Sequence, residues 1–229
     1  MSLAVRDRRP EQMDAPDLPA DVYAAVLTDL AKVNRLTLSA RPTLAFLKRA
    51  LAGRATARIL DVGFGDGDML RTIARWGRSR GLALELVGID LNPGSAAVAA
   101  AATPPDLAID WRTGDCAALA GEGWDVVLSS FVAHHMSDAE LNAFLRFMEN
   151  ESAIGWLVND LHRHWFAHAG YPLLARLMRW HRIVREDGTL SIARSFRRED
   201  WVAILARAGI TQARIVRRFP FRLCVERLR

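Results

Sequence analysis

Short apolar runs alternate with longer helical segments between residues 57 and 159 of the chain. The apolar runs predict five strands, at 57–63, Leu84–Asp90, within 107–115, Trp124–Val132 and Ala153–Asn159. The segments between them predict helices at Asp66–Arg78, Pro93–Ala102 and Asp138–Glu149. Alternation of strands and helices at this spacing is typical of a parallel sheet with helices on both faces.

Helical segments also lie on either side of this region. Residues 21–52 repeat apolar side chains at helical spacing and predict an N-terminal helical cap, and residues 160–187 predict a helical lid insertion where a short connection is expected. A helix at Arg198–Ala208 follows, and then two strands at 211–219 and 221–228 that are too close for a parallel crossover. We therefore expect an α/β fold with a seven-stranded sheet, mostly parallel with an antiparallel last strand.

The composition fits one domain. The chain has 229 residues, of which 51% are hydrophobic, and this is enough to bury a sizeable core. Residues 1–20 are charged and contain no apolar stretch, so we expect a flexible N-terminus rather than a secretory signal, followed by a single domain over residues 21–229.

The same counts exclude several other classes. No apolar run is long enough to span a membrane, and two cysteines are too few for a disulfide framework or a zinc site. We therefore expect a cytoplasmic protein without stable membrane insertion and without a bound metal. The net charge of +5 is concentrated after residue 149, but the arginines are scattered between apolar residues, so no nucleic-acid partner is expected.

A glycine-rich loop follows the first predicted strand in the sequence ILDVGFGDGDML. Its spacing, with glycine at Gly63, Gly65 and Gly67, differs from the G-x-G-x-x-G pattern of dinucleotide-binding loops. Asp61 and the aspartates at 66 and 68 disfavour a pyrophosphate there and favour a cation or an ammonium group. The loop therefore argues against an NAD-binding oxidoreductase.

Acidic residues also end the next two strands, with Asp90 in VGIDLN and Asp115 in TGDCAAL. A carboxylate at the end of the second strand can accept hydrogen bonds from both hydroxyls of a ribose. The expected ligand thus contains a ribose and lies over the carboxyl ends of strands one to four, which is the usual crevice of an open α/β sheet.

Four motifs in this order, LDVGFGDG, VGIDLNP, GDCAAL and WDVVLSSFVAHHM, resemble those of the class I S-adenosylmethionine-dependent methyltransferases. The resemblance covers about residues 55–229 and implies a Rossmann-like sheet with S-adenosyl-L-methionine as cofactor. It also implies cofactor contacts at the ends of strands one to four, from the positions Asp61, Gly63, Phe64, Gly65, Gly67, Asp90, Leu91, Asp115, Cys116 and Ser130.

The resemblance assigns a part of the cofactor to each motif. The glycines let the backbone lie against the methionine portion, and Asp61 favours its ammonium. Asp90 holds the ribose hydroxyls while Leu91 packs on the adenine. Asp115 and the backbone of Cys116 bind the adenine amino group. Phe64 departs from the small or polar residues usual at its position, and it either walls the pocket or packs in the core.

Histidines near the predicted crevice are the candidates for catalysis. Methyl transfer to a phenol requires removal of the hydroxyl proton, and His is the usual base. His135 is our first candidate because it follows strand four beside the sulfonium-facing Ser129–Ser130 turn, with His134 and His162 as alternatives. The opposing interpretation is that these side chains only pack or cap the next helix.

The predicted lid suggests a hydrophobic substrate. Its apolar helix begins with Trp165 and Phe166, and the preceding NDLHRH places Asn159, Asp160 and Arg163 near the crevice mouth, so we predict these five residues to bind substrate. Ordinary core packing is the alternative.

The segments LAKVNRLTLSARPTL, NDLHRH and VREDGTLSIARSF resemble bacterial small-molecule methyltransferases of the ubiquinone and menaquinone type. This resemblance implies that Arg41 of the cap reaches the cofactor carboxylate.

The leading hypothesis is O-methylation of a hydrophobic phenol or hydroquinone. C-methylation of a quinol ring uses the same cofactor site and stays open, as does an RNA-binding methyltransferase or module, which the basic C-terminal half favours. Sequence leaves the oligomeric state open between a monomer and a dimer.

Overall fold

The computed structural model describes residues 3–229, which form a seven-stranded sheet with α-helices on both faces. The strands are β1 Thr56–Val62, β2 Ala83–Asp90, β3 Asp110–Thr113, β4 Trp124–Ser130, β5 Ser152–Leu161, β6 Arg214–Arg218 and β7 Arg222–Leu228. The helices are α1 Ala20–Leu36, α2 Ala40–Ala50, α3 Asp68–Arg78, α4 Pro93–Ala102, α5 Asp138–Glu151, α6 Trp165–Leu177, α7 Arg182–Arg194 and α8 Arg198–Ala208.

The strand order is β3-β2-β1-β4-β5-β7-β6. The first five strands are parallel, whereas β7 runs antiparallel to both β5 and β6. This confirms the predicted sheet and its antiparallel end. The strand order reverses at β1, which pairs with β2 on one side and with β4 on the other. Such a switch point opens a crevice at the carboxyl ends of the strands.

Buried side chains fill both faces of the sheet. One core contains the three fully buried tryptophans Trp124, Trp156 and Trp201, and the other contains Phe46 and Leu70 from helices α2 and α3. The predicted core elements are therefore present, with shifts of up to three residues at their ends. The main extension is α7, which continues the helical lid region to residue 194.

A third, smaller core joins the N-terminal cap to the lid region. Val26 of α1 packs with Ala175, Trp180, Ile183 and Val184 from α6, the following turn and α7. Cap and lid are thus one packed unit, and this unit lies on the side of the sheet where the carboxyl ends of the strands open. No helix among residues 3–229 is long and apolar enough to cross a membrane.

The N-terminal segment, residues 3–19, contacts distant parts of the molecule. The expectation of a flexible start over residues 1–20 stays a prediction, and residues 1 and 2 lie outside the described residues. Arg6 donates hydrogen bonds to the carbonyls of Arg194, His134 and Met136, and its guanidinium lies 4.3 Å from the ring centroid of Phe196. The backbone of a short 3-10 helix at Gln12–Asp14 donates to the buried carboxylate of Asp187. The segment is therefore fastened across the molecule.

We predict that Arg6→Ala loosens this segment, because three backbone carbonyls lose their shared donor. The expected loss is about 1–3 kcal/mol of unfolding free energy, together with faster proteolysis of residues 3–19 in the native protein. Arg8→Ala is the matched control, since its side chain is 62% exposed and forms an ion pair with Asp138 on the surface. Equal proteolysis and stability of the two variants would show that Arg6 does not fasten the segment.

Candidate active site

A cavity of about 1620 Å³ lies over the carboxyl ends of β1, β2 and β4. Its walls come from the glycine loop, the cap helix α1, the lid helix α6, the turn at 219–222 and the N-terminal segment. Pockets for a single small molecule usually measure about 300–1,000 Å³, so this cavity has room for two ligands side by side.

The glycine loop enters the cavity with a backbone that other residues rarely adopt. Gly63, Gly65 and Gly67 have φ values of +76°, +57° and +79°. A Cβ on Gly63 would collide with Val132, and one on Gly67 would collide with the Trp111 ring. Gly63 and Gly65 line the cavity, whereas Gly67 is buried at the start of α3. The loop therefore brings bare backbone to the ligand space.

Asp61, at the end of β1, is a buried carboxylate that has no counterion among residues 3–229. It is 1% exposed, and no described residue gives its Oδ1 a hydrogen bond. Burial and the nearby charges of Asp68 and Asp90 raise the pKa of Asp61 well above its usual value. Burial, with Asp66 beside it, also raises the pKa of Asp68 to about 6. This part of the cavity attracts a positively charged group.

Asp90, at the end of β2, holds the glycine loop in place. Its Oδ2 accepts a hydrogen bond from the Gly65 amide at 2.9 Å, and its Oδ1 accepts one from the Asn92 amide at 2.9 Å. Burial raises the pKa of Asp90, although these amides oppose the shift. The neighbouring Leu91 lines the cavity, and 75% of its surface is exposed. This apolar surface is available to pack against a planar ligand.

The remaining predicted cofactor residues of the β3 and β4 ends also border the cavity. Asp115 caps a short 3-10 helix through the amide of Ala117 at 2.9 Å, and burial raises the pKa of the Cys116 thiol to about 12. Ser130 has a buried hydroxyl that finds no hydrogen-bond partner among the described residues. Phe64 is 5% exposed, with its ring centroid 4.7 Å from that of Trp111, and it also lines the cavity.

His134 and Asp160 form a buried pair beside the cavity. Nδ1 of His134 lies 2.7 Å from Oδ1 of Asp160, and the His134 amide donates to Oδ2 at 3.0 Å. Burial opposes ionisation of Asp160, but the charge and hydrogen bond of His134 hold the pKa of Asp160 below its usual value. The ionised carboxylate fixes the His134 ring with Nδ1 as the donor.

His135 lies next to this pair, on the cavity wall. Its Nδ1 is 2.8 Å from Oδ2 of Asp14, and its Nε2 is 3.8 Å from Oε2 of Glu11. Burial opposes charging of His135, but the hydrogen bond with Asp14 and the charge of Glu11 raise its pKa. The third candidate, His162, also lines the cavity, and burial together with the charge of Arg217 lowers its pKa.

Several predicted site residues do not reach the cavity and are corrected here. Arg41 is exposed on α2, and Trp165 faces solvent with 68% of its surface exposed. Asn159 is fully buried, where it donates to the Ser39 carbonyl and joins β5 to the cap. Asp160 holds His134, and Arg163 donates to the Ser195 carbonyl and to Asp200. Only Phe166 of the predicted substrate residues lines the cavity.

Sequence reasoning missed residues that come from distant parts of the chain. Glu11 and Asp14 of the N-terminal segment, Tyr23 of α1, Tyr171 of α6 and Arg222 of β7 all line the cavity. The apolar spacing of α1 and α6 could have indicated the two tyrosines. Nothing local marks Glu11, because its burial depends on contacts with residues more than a hundred positions away.

The sheet order, with its antiparallel last strands, is that of a Rossmann-like methyltransferase fold. Residues 59–150 match the family model of a methyltransferase domain, so this part of the chain is similar to such a domain.

The curated relatives to which the chain is similar in sequence are methyltransferases of one kind. The ubiquinone biosynthesis O-methyltransferase of Azorhizobium caulinodans is 38% identical over 101 residues, which make up 43% of this chain and 37% of that protein. The enzyme of the same name from Bartonella tribocorum is 32% identical over 130 residues, 54% of this chain and 49% of that protein. The chain therefore spans half or less of the length of these relatives. The predicted resemblance to ubiquinone-type class I methyltransferases is confirmed.

A solved structure shows the same fold. Magnesium protoporphyrin IX methyltransferase from Synechocystis PCC 6803, crystallised with S-adenosylhomocysteine, superimposes with a TM-score of 0.57 at 16% identity, over 84% of this chain and 83% of that one.

We predict that Asp61→Asn raises the unfolding midpoint of the ligand-free protein. An unfolded Asp ionises near pH 3.9, whereas the folded state keeps its proton to higher pH, so stability falls as pH rises through this interval. The gain from Asn should therefore be larger at about pH 8 than at about pH 5. Thermal unfolding at both pH values measures it, with the exposed Asp17→Asn as control. A lower midpoint of Asp61→Asn at both pH values would contradict this.

Proposed function

We propose that this chain is an S-adenosylmethionine-dependent methyltransferase that O-methylates a hydrophobic phenol or hydroquinone. The observation that carries the proposal is the buried Asp61 carboxylate, which has an unpartnered oxygen beside the glycine loop at the bottom of a large cavity. The methyltransferase-domain match over residues 59–150 supports the same conclusion.

The residues present fit this cofactor. Asp61 offers an oxygen without a donor to an ammonium group, and the positive-φ glycines Gly63 and Gly65 give access to backbone. Asp90 can receive ribose hydroxyls and Leu91 can cover an adenine. When bound, S-adenosylmethionine supplies a methyl group on a positively charged sulfur.

The same carboxylates argue against a dinucleotide. Asp61, Asp68 and Asp90 line one wall of the cavity, and they would repel a pyrophosphate in a medium of low dielectric constant. The fold of the solved methyltransferase structures is consistent with this preference.

The rest of the cavity supports a hydrophobic substrate. Its walls beyond the glycine loop are mostly apolar, with side chains from the N-terminal segment, α1, α5 and α6, among them Leu27, Met136, Phe144, Phe147, Phe166 and Leu174. Apolar walls with a few polar groups are typical of small-molecule sites. The relatives named as ubiquinone biosynthesis O-methyltransferases support a ring hydroxyl as the acceptor.

For the chemistry, this chain contributes positioning and proton removal. The cavity holds the substrate hydroxyl against the methyl donor, which is the main requirement of a displacement reaction. We propose that the hydroxyl loses its proton at the cluster of Glu11, His134 and His135, where Asp160 fixes the His134 ring. His135 faces the cavity more openly than the 2% exposed His134, so it remains the first candidate for contact with substrate.

We predict that Asp90→Ala weakens binding of S-adenosylhomocysteine by about 1.5–3 kcal/mol, the range for hydrogen bonds to a charged group. The variant loses the ribose acceptor and the tie to the Gly65 amide. Isothermal calorimetry measures the affinity, and Asp106→Asn, on the exposed surface outside the cavity, is the control. Micromolar binding of NAD by the wild type, without heat from S-adenosylhomocysteine, would reject the proposed cofactor.

We predict methyl transfer from labelled S-adenosylmethionine to members of a panel of apolar phenols and hydroquinones. His135→Ala should lower turnover by about 10²–10⁴-fold, the usual contribution of a group that handles the proton, without change in S-adenosylhomocysteine affinity. His168→Ala, on α6 and outside the cavity lining, should keep full turnover.

The position of the label in the product separates the alternatives. A labelled methyl ether supports O-methylation. A labelled methyl group on a ring carbon would show C-methylation and reject the proposed O-methylation. Full turnover of His135→Ala, His134→Ala and His162→Ala would exclude histidine from proton removal.

A further inference from the structure

Two histidine nitrogens and one carboxylate meet at the wall of the cavity. Nε2 of His134 lies 3.6 Å from Oε1 of Glu11, and Nε2 of His135 lies 3.8 Å from Oε2 of Glu11. The possible ligand atoms of the three residues all lie within 4.8 Å of one another. All three residues line the cavity.

The second nitrogen of each histidine is already engaged by a carboxylate. Nδ1 of His134 contacts Asp160 at 2.7 Å, and Nδ1 of His135 contacts Asp14 at 2.8 Å. A carboxylate accepts, so Nδ1 carries the proton and the lone pair of a neutral ring is on Nε2. Both Nε2 atoms lie within 3.6–3.8 Å of a Glu11 carboxylate oxygen. An outer carboxylate that orients a ligating imidazole in this way is the usual second layer of a protein metal site.

The distances favour a shared cation over direct hydrogen bonds. At 3.6 and 3.8 Å, the contacts between Nε2 atoms and Glu11 exceed hydrogen-bond length. Glu11 is only 3% exposed, and its Oε1 accepts no hydrogen bond from the part of the chain that the structure describes. Ligand atoms at about 2.0–2.2 Å from a tetrahedral zinc ion are roughly 3.3–3.6 Å apart, close to the separations found here.

Arg194 lies beside this cluster and contacts several of its parts. Its Nε lies 3.6 Å from Oε1 of Glu11 and donates to the His134 carbonyl at 3.1 Å. Its two terminal nitrogens donate to the carbonyls of Arg9 and His135. The guanidinium therefore fastens the N-terminal segment to the turn that carries the histidines, and it lies close to the Glu11 carboxylate.

We propose that Glu11, His134 and His135 form a binding site for a divalent transition-metal ion such as zinc, with an open coordination position toward the cavity. Three protein ligands and one open position are typical of catalytic zinc sites. The chemical consequence rests on the proposed function: the open position would take the oxygen of the substrate hydroxyl, which would then release its proton to water more readily than the free hydroxyl does. His134 and His135 would promote this proton loss by holding the ion, in place of accepting the proton themselves. This differs from the absence of metal expected from the cysteine count.

The test is metal binding by the full chain without cofactor or substrate. After treatment with a chelator, Zn²⁺ is titrated by calorimetry and Co²⁺ by its visible absorption. We expect one ion per chain in the wild type. Loss of an outer partner of a metal ligand typically weakens metal binding by about 10–100-fold. Glu11→Gln and His135→Ala each remove a ligand and should weaken metal binding at least as strongly. Glu199→Gln and His168→Ala, both outside the cavity lining, are the matched controls and should bind like the wild type.

A milder variant covers the case in which a ligand substitution prevents folding. Asp14→Asn removes only the partner of His135 Nδ1 and should weaken Zn²⁺ binding by about 10–100-fold, with the fold checked by circular dichroism. Absence of Zn²⁺ and Co²⁺ binding in the wild type overturns the inference, as does equal binding by the wild type and the folded variants. S-adenosylhomocysteine binding is measured in parallel. If it persists while metal binding fails, only the metal site is rejected, and the reverse result rejects only the proposed cofactor.

Discussion

The buried carboxylate of Asp61, which has no counterion among the described residues, determines which charge the cavity attracts. Asp61 lies at the end of the central strand β1, where the strand order of the sheet reverses. Its charge is costly there, since neighbouring Asp68 and Asp90 raise its pKa further instead of compensating it. Such a group is stabilised by a cationic ligand. The glycine backbone next to it, at positive φ and without side chains, leaves the space that this ligand needs.

The structures that enclose the cavity are held by charged contacts over long sequence distances. Arg6 and Arg194 both donate to the backbone of the turn that contains His134, and Arg194 also donates to Arg9 of the N-terminal segment. The cap and lid pack on each other through the small apolar core around Trp180. Enclosure matters for the proposed chemistry, because a dry site strengthens the electrostatic interactions of a reacting hydroxyl.

Local sequence patterns predicted most of the fold and most of the residues that line the cavity around the glycine loop. Strands β1, β2, β4 and β5 are buried parallel strands, so they are apolar almost throughout, and the aspartates at their ends are conspicuous. The positions of the other residues in and around the cavity depend on long-range contacts, which local patterns do not indicate. Glu11 looks like one more charge in a polar segment, and only the docked segment brings it to His134 and His135. Asn159 and Asp160 follow an apolar strand in the same way as Asp90 does, but they face the cap and His134 rather than the crevice.

The most direct test of this account is a crystal structure of the chain with S-adenosylhomocysteine. The account predicts that the amino group of the ligand lies within hydrogen-bond distance of the Asp61 carboxylate. It also predicts that the ribose hydroxyls lie on Asp90 and that the adenine lies beside Leu91. A bound molecule whose amino group is remote from Asp61, with that carboxylate still without a partner, would contradict the account.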